Sequence, residues 1–149
     1  DGEHGNELWI IGSDPSQSHL LLDLIPGAAS SNPSDGMVIG SKLYFAAESL
    51  EKGREVWVTD GTAAGTRFIK DITPGPTSSN PKVIGSVGDI AIVSVKVRAS
   101  ESFPSTGSSI WRTDGTVAGT FVLLDAPLSS ASNYNVTNPL GEPLRNLKS

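Results

Sequence analysis

One stretch constrains this chain more than any other: residues 55–72, Glu-Val-Trp-Val-Thr-Asp-Gly-Thr-Ala-Ala-Gly-Thr-Arg-Phe-Ile-Lys-Asp-Ile. β-Branched and aromatic residues climb to Asp60-Gly61, and a second such run follows Gly65-Thr66. Strand formers on both sides of turn formers predict a β-hairpin. The chain carries this hairpin three times. The first copy is Glu7-Leu8-Trp9-Ile10-Ile11, a turn around Gly12-Ser13-Asp14-Pro15, then residues 19–24. The third runs from Ser109-Ile110-Trp111-Arg112-Thr113-Asp114-Gly115-Thr116 through Gly119-Thr120 to Asp125. Trp9 and Trp57 lie 48 residues apart, and so do Asp23 and Asp71, so two independent landmarks are in phase.

Trp57 and Trp111 are 54 residues apart, whereas Gly40 and Gly88 keep the spacing of 48. The extra residues therefore fall after Gly88, in the polar Ser/Pro/Gly stretch 98–107. An enlarged loop of this kind costs little closure entropy. Between the hairpins, Met37-Val38-Ile39 and Lys82-Val83-Ile84 predict short strands, and 42–47 and 90–95 predict longer ones. About four short strands in roughly 50 residues is the pattern of a propeller blade. The expected fold is all-β: a β-propeller-like repeat array of about three blades in a single domain, 1–149. The repeats fall at about 1–33, 34–81 and 82–133, with an irregular tail at 134–149. Three are fewer than a usual closed ring holds, so further blades or associating subunits are expected to complete the array. Starting inside a repeat at Asp1-Gly2-Glu3-His4, the chain is expected to be a piece of something longer or a processed product.

Composition narrows the functional classes. Gly and Pro are plentiful at 16 and 10, which agrees with many turns. A formal charge of −5 with no clustered Lys and Arg argues against nucleic acid or an anionic membrane surface as partner. Cysteine is absent, which removes disulfides and thiolate metal sites. No apolar run approaches the ~20 residues of a membrane span.

The repeated polar residues read first as structure. In Asp60-Gly61-Thr62 and Asp114-Gly115-Thr116 the Asp accepts backbone N–H bonds within the turn and Gly takes positive φ. Thr62 and Thr66, with Gly65 between the strands, close the loop, and Thr116, Gly119 and Thr120 repeat the arrangement. Calcium is the alternative for these carboxylates, but a twelve-residue loop of alternating oxygen ligands is not present. Trp9, Trp57 and Trp111 share one register and are expected in the blade core between sheets; an exposed platform for sugars is the alternative. Trp57→Ala is then expected to cost roughly 3–5 kcal/mol. Asp23, Asp71 and Asp125 read as caps on loop backbone. Glu7 and Glu55 precede the Trp strand, yet Ser109 stands there in the third copy, so no role demanding a carboxylate in every repeat is met.

His4 and His19 have no counterparts in later repeats and read as surface residues. No metal site, nucleophile elbow, phosphate loop or zinc-protease helix occurs, and no catalytic residue is assigned. Arg98, Glu101 and Phe103 in the enlarged loop are the expected contact residues for a partner. Asn135-Val136-Thr137 is an acceptable N-glycosylation sequon.

At its hairpins the sequence resembles the ELWxxDGT repeat family. The resemblance is carried by Glu7-Leu8-Trp9, by residues 55–66 and by residues 110–120, with Asp71-Ile72-Thr73-Pro74-Gly75 and Leu43-Tyr44-Phe45-Ala46-Ala47 flanking them. It covers about residues 1–130. The first copy departs at 12–18, where the Asp-Gly-Thr turn is lost. The resemblance implies a propeller-like array at a cell surface or outside the cell, and it transfers no catalytic residue and no cofactor. The expected function is a non-enzymatic structural, adhesion or scaffold repeat module that mediates protein–protein assembly with protein partners or further blades. A carbohydrate- or calcium-binding lectin-like module, with a glycan as partner, is the first alternative; a fragment of a propeller enzyme is the second.

Overall fold

The computed structural model describes residues 3–97 and 107–127, and for 97 and 125–127 the backbone alone. The expected contact residues Arg98, Glu101 and Phe103, the side chain of Asp125, Asn135 and the tail 134–149 lie outside the described residues. Ten strands follow one another: β1 Leu8–Ile10, β2 His19–Leu22, β3 Ser34–Ile39, β4 Lys42–Ser49, β5 Gly53–Thr59, β6 Arg67–Lys70, β7 Lys82–Val87, β8 Ile90–Val97, β9 Gly107–Thr113 and β10 Phe121–Pro127. The one helical segment among the described residues is a 3-10 turn, Pro15–Gln17. The chain is all-β, as its residue pattern predicts.

Three antiparallel sheets result, each a meander of sequence neighbours. The first is β1-β2, the second β3-β4-β5-β6 and the third β7-β8-β9-β10, and none closes on itself. The chain leaves the first and second sheets through matching corners. Pro26-Gly27 and Pro74-Gly75 place glycines at φ +88° and +84°, where a Cβ would be strained.

Register decides which side chains meet. Tyr44 pairs with Val58 and Ala46 with Val56, while Phe45 pairs with Trp57. Side chains alternate between faces along a strand, so Tyr44, Ala46, Val56 and Val58 share one face and Phe45 and Trp57 the other. The first of these faces packs on the third sheet. There Tyr44, Val56, Val58 and Ile69 form one buried cluster with Ala91, Val93 and Val95. Each fully buried valine or isoleucine there is worth about 1.5–3 kcal/mol relative to exposure. The opposite face of the second sheet turns to the first, where Leu43 and Thr59 line a cleft with Leu8, Trp9, Ile10 and Leu21.

The tryptophans, expected in the blade core from their common register, are buried unequally, and only Trp111 packs against the core cluster. Trp9 is 36% exposed, Trp57 and Trp111 are half-buried, and the largest fully buried side chains are Tyr44 and Phe45. In the second and third copies the face they occupy turns toward the preceding sheet, and those neighbours differ. For Trp111 that neighbour is four-stranded, and the ring packs at the margin of the cluster. For Trp57 the neighbour has only two strands. Trp9 lines the cleft of about 210 Å³ with Val38 and Leu43 of the second sheet.

Candidate functional site

The loop after each Trp strand is built by its own short polar side chains. In the second sheet Asp60 Oδ1 accepts from Thr62 N at 2.9 Å and from Thr62 Oγ1 at 2.7 Å. Thr62 Oγ1 in turn accepts from Gly65 N at 2.9 Å, and Thr66 Oγ1 donates to Thr62 O at 2.7 Å. Buried Thr59 joins its hydroxyl to that of Thr66 at 2.7 Å across the base of the loop. The third sheet repeats the whole set. Asp114 Oδ1 accepts from Thr116 N and Oγ1 at 2.9 and 2.7 Å, Thr116 Oγ1 accepts from Gly119 N, and Thr113 meets Thr120 at 2.6 Å.

These bonds hold the Asp60 and Asp114 carboxyls below the ordinary range, the Thr62 and Thr116 hydroxyls first and their backbone N–H groups second. Gly61 and Gly115 carry φ of +90° and +89°. Gly65 is required for a different reason: a Cβ there would fall 2.0 Å from Asp60 Oδ1, and one at Gly119 would fall 2.1 Å from Asp114 Oδ2.

The first copy keeps this chemistry despite its altered sequence. Asp14 Oδ1 accepts from Ser16 N and Ser16 Oγ, both at 2.8 Å, at the head of the 3-10 turn. These bonds also lower the Asp14 carboxyl, the backbone N–H of Ser16 being the larger cause. What the first loop lacks is the glycine pair, not the carboxylate-to-hydroxyl lock.

A second constellation joins each hairpin to the sheet that follows, and it rests on the glutamates for which the sequence suggests no role. Glu55, fully buried, accepts from Ser79 Oγ at 2.6 Å, Thr73 N at 3.3 Å and Ile72 N at 3.4 Å. Ser79 O then accepts from Lys96 N of β8 at 3.0 Å. One sheet earlier, Glu7 accepts from Ser31 Oγ at 2.5 Å, Ser31 N at 2.8 Å and Leu24 N at 3.2 Å, and Ser31 O accepts from Glu48 N of β4 at 2.8 Å. Each connector serine thus ties a carboxylate in the sheet it leaves to a strand of the sheet it enters. Burial is the largest influence on Glu55 and pushes its carboxyl up to about 7, against the three donors that favour its charge. The available signal was that Glu7–Ser31 and Glu55–Ser79 are each separated by 24 residues. In the third copy Ser109 takes the glutamate's place, buried, and its Oγ accepts from Trp111 Nε1 at 2.8 Å.

The remaining residues singled out from the sequence are dispersed. Asp23 and Asp71 accept from Gly27 N and Gly75 N at 3.3 and 3.2 Å, so each caps its Pro-Gly corner. His19, exposed, has Nδ1 2.9 Å from Gln17 O, and His4 Nε2 lies 3.8 Å from Asp23 Oδ2. Among the described residues no group of three or more His, Cys, Asp or Glu side chains could hold a metal ion.

Three cations of the second sheet clamp the third loop. Lys42 Nζ donates to Asp114 O at 3.3 Å, Arg67 to Gly115 O at 2.9 Å and Lys70 Nζ to Thr120 O at 2.9 Å. Lys70 Nζ also sits 5.7 Å from the centre of the Trp111 ring. A cleft of about 390 Å³ opens beside the second sheet against Leu24, Leu50, Lys52, Trp57 and Phe68. Trp57 and Phe68 meet there edge to face at 5.9 Å. Trp57 Nε1 is buried with no hydrogen-bond partner. No protein-family model, no curated protein and no solved structure matches the chain.

Proposed function

We propose that this chain is a non-enzymatic structural repeat module, a propeller-like array at a cell surface or outside the cell that mediates protein–protein assembly. The observation that carries the reading is where the repeated acidic groups are spent. Asp60 and Asp114 are engaged by their own loops, and Glu7 and Glu55 by the connectors between sheets. Carboxylates used in this way position backbone, and the recurring chemistry of the repeat goes into holding sheets side by side. Resemblance of the hairpins to the ELWxxDGT repeats supports the same reading and its location.

A second reading is favoured by one observation. The cleft beside Trp57 offers an aromatic wall, the polar groups of Lys52 and a buried indole N–H without an acceptor. A sugar hydroxyl could supply that acceptor, which fits a lectin-like module. Titration calorimetry against a panel of glycans, with and without calcium, separates the two readings. The assembly reading expects no saturable heat in either condition. It also expects photo-crosslinks to protein from probes on the outer sheet faces in the cells that make it. Saturable glycan binding abolished by Trp57→Ala would replace it.

A further inference from the structure

A polar cleft of about 270 Å³ opens between the second and third sheets, both of them four-stranded. It is lined by Lys42 and Tyr44 of β4, Asp89 of the β7–β8 turn, Asp114 just after β9, and Ile39 and Ile90. Lys42 and Tyr44 lie two apart on one strand and so share the face that turns to the third sheet. These polar residues stand outside the repeat. At the spacing of 48, Lys42 and Tyr44 become Ile90 and Ile92, and Asp89 stands where the second sheet has Ser41. The pattern common to the sheets does not account for them.

Tyr44 is the side chain that points to a ligand. It is 1% exposed, yet its hydroxyl has no hydrogen-bond partner among the described residues. A buried polar group left in that state is costly. A Cβ at Gly115 would stand 3.2 Å from Tyr44 Oη and 3.5 Å from Lys42 Nζ, so the phenol and the ammonium border the same stretch of backbone. Lys42 uses one of its three N–H groups on Asp114 O. Burial first and the Asp114 carboxylate second push the phenol up, which keeps it protonated and a donor. At the neighbouring turn, Asp89 Oδ1 comes within 2.9 Å of where a Cβ on Gly40 would stand. Its exposed carboxylate has neither hydrogen bond nor ion pair among the described residues. Asp114 differs, because Thr116 holds it. The cleft thus brings together two donors and a free carboxylate that do not satisfy one another.

We propose that this cleft binds a small zwitterion, a free α-amino acid with an aliphatic side chain. Its carboxylate accepts from Lys42 Nζ and Tyr44 Oη, its ammonium donates to the Asp89 carboxylate, and Ile39 and Ile90 line the space for its side chain. A volume below the ~300–1,000 Å³ of drug-sized pockets holds the occupant to this size. An acid alone would meet the negative charge of Asp89 and Asp114. An amine alone would leave Tyr44 without an acceptor. The inference goes beyond the assembly reading and does not depend on it.

Calorimetric titration of the whole chain with L-alanine and L-valine tests it, with propionate, propylamine and glycerol as comparisons. Saturable binding of both amino acids is expected, with all three comparison compounds at least about tenfold weaker. Tyr44→Phe keeps the buried ring, and Asp89→Asn changes an exposed turn. Each is expected to weaken alanine binding by about 10–100-fold, the loss of one hydrogen bond to a charged group. Amide chemical shifts of the isotope-labelled wild type give an answer even where a variant fails to fold. Alanine is expected to move Ser41, Asp89 and Gly115, and shifts confined to other parts of the chain would overturn the proposal. So would the absence of saturable heat with either amino acid, propionate or glycerol binding as tightly as alanine, or unchanged affinity in either folded variant.

Discussion

Replacing Glu55 by Gln should change how stability depends on pH more than it changes stability itself. The Glu55 carboxyl is raised from an ordinary 4.5 to about 7, chiefly by burial. Between those values the folded chain holds a proton that the unfolded chain has released, so stability falls as pH rises through the interval. The contribution is fully present below pH 4.5 and is lost by the time pH has passed about 7. At about 1.4 kcal/mol per pH unit the loss is about 3 kcal/mol. An amide does not titrate, so Glu55→Gln should remove this slope. The introduced amide can still accept from one of the connector N–H groups and donate to Ser79 Oγ, sacrificing one bond of the present three, a cost of about 1 kcal/mol. Wild type should therefore be the more stable protein at the acid end of the window, and the variant the more stable by about 2 kcal/mol at the alkaline end. Urea unfolding followed by tryptophan fluorescence, repeated across the interval, gives both curves. Two curves that run parallel would show that Glu55 does not titrate there and would refute the account of its burial.

Other substitutions test the loops, the tryptophans and the clamp. Gly65→Ala should destabilise by about 1–3 kcal/mol through overpacking, and adding Asp60→Gly should recover part of that loss, since the clash is with the Asp60 carboxylate; thermal melts of the two variants decide it. Trp9→Ala should cost about 1 kcal/mol and Trp57→Ala about 2–3, below the value for a fully buried ring because Trp57 is half-buried; equal losses in urea would contradict the assigned faces. Lys70→Met keeps the stem but loses the carbonyl bond and the charge over Trp111, and should cost about 1–2 kcal/mol by the same assay. Hydrogen exchange should be fastest in β1 and β2, which form the smallest sheet, and slowest in β4, β5 and β8, which carry the buried cluster.

The strands were legible because their signals are local. Alternation around Trp57, the Asp-Gly turn and the Pro-Gly corner all act within a few residues, and the period of 48 repeats them in phase. The environment of the tryptophans was not legible, because equal register promises equal burial only if every copy has the same neighbour. Trp9 sits in a two-stranded sheet and is exposed, whereas Trp57 and Trp111 sit in four-stranded sheets and are half-buried. The connector staple escaped for another reason. Glu55 bonds to Ser79, 24 residues away, through a corner whose path no local pattern encodes. Ser109 in place of the third glutamate made the pattern look incomplete, and there the buried serine accepts a bond from Trp111 Nε1 instead.

The two joints between sheets differ although the hairpins that form them are near copies, and the difference lies in residues that do not repeat. Lys42, Arg67 and Lys70 reach the carbonyls of Asp114, Gly115 and Thr120 in the third loop. The positions 48 before Arg67 and Lys70 hold His19 and Leu22, which supply no comparable long cation to the second loop. The second joint accordingly combines the buried cluster with three donors aimed at one loop, beside a cleft of about 270 Å³, while the first leaves clefts of about 210 and 390 Å³ along its length. A loop whose acidic side chain is satisfied internally still presents its backbone carbonyls outward. Those carbonyls, more than the carboxylates, are the groups a neighbouring sheet can address. The repeated residues therefore determine that sheets stack, and the unrepeated cations determine which neighbour stacks most tightly.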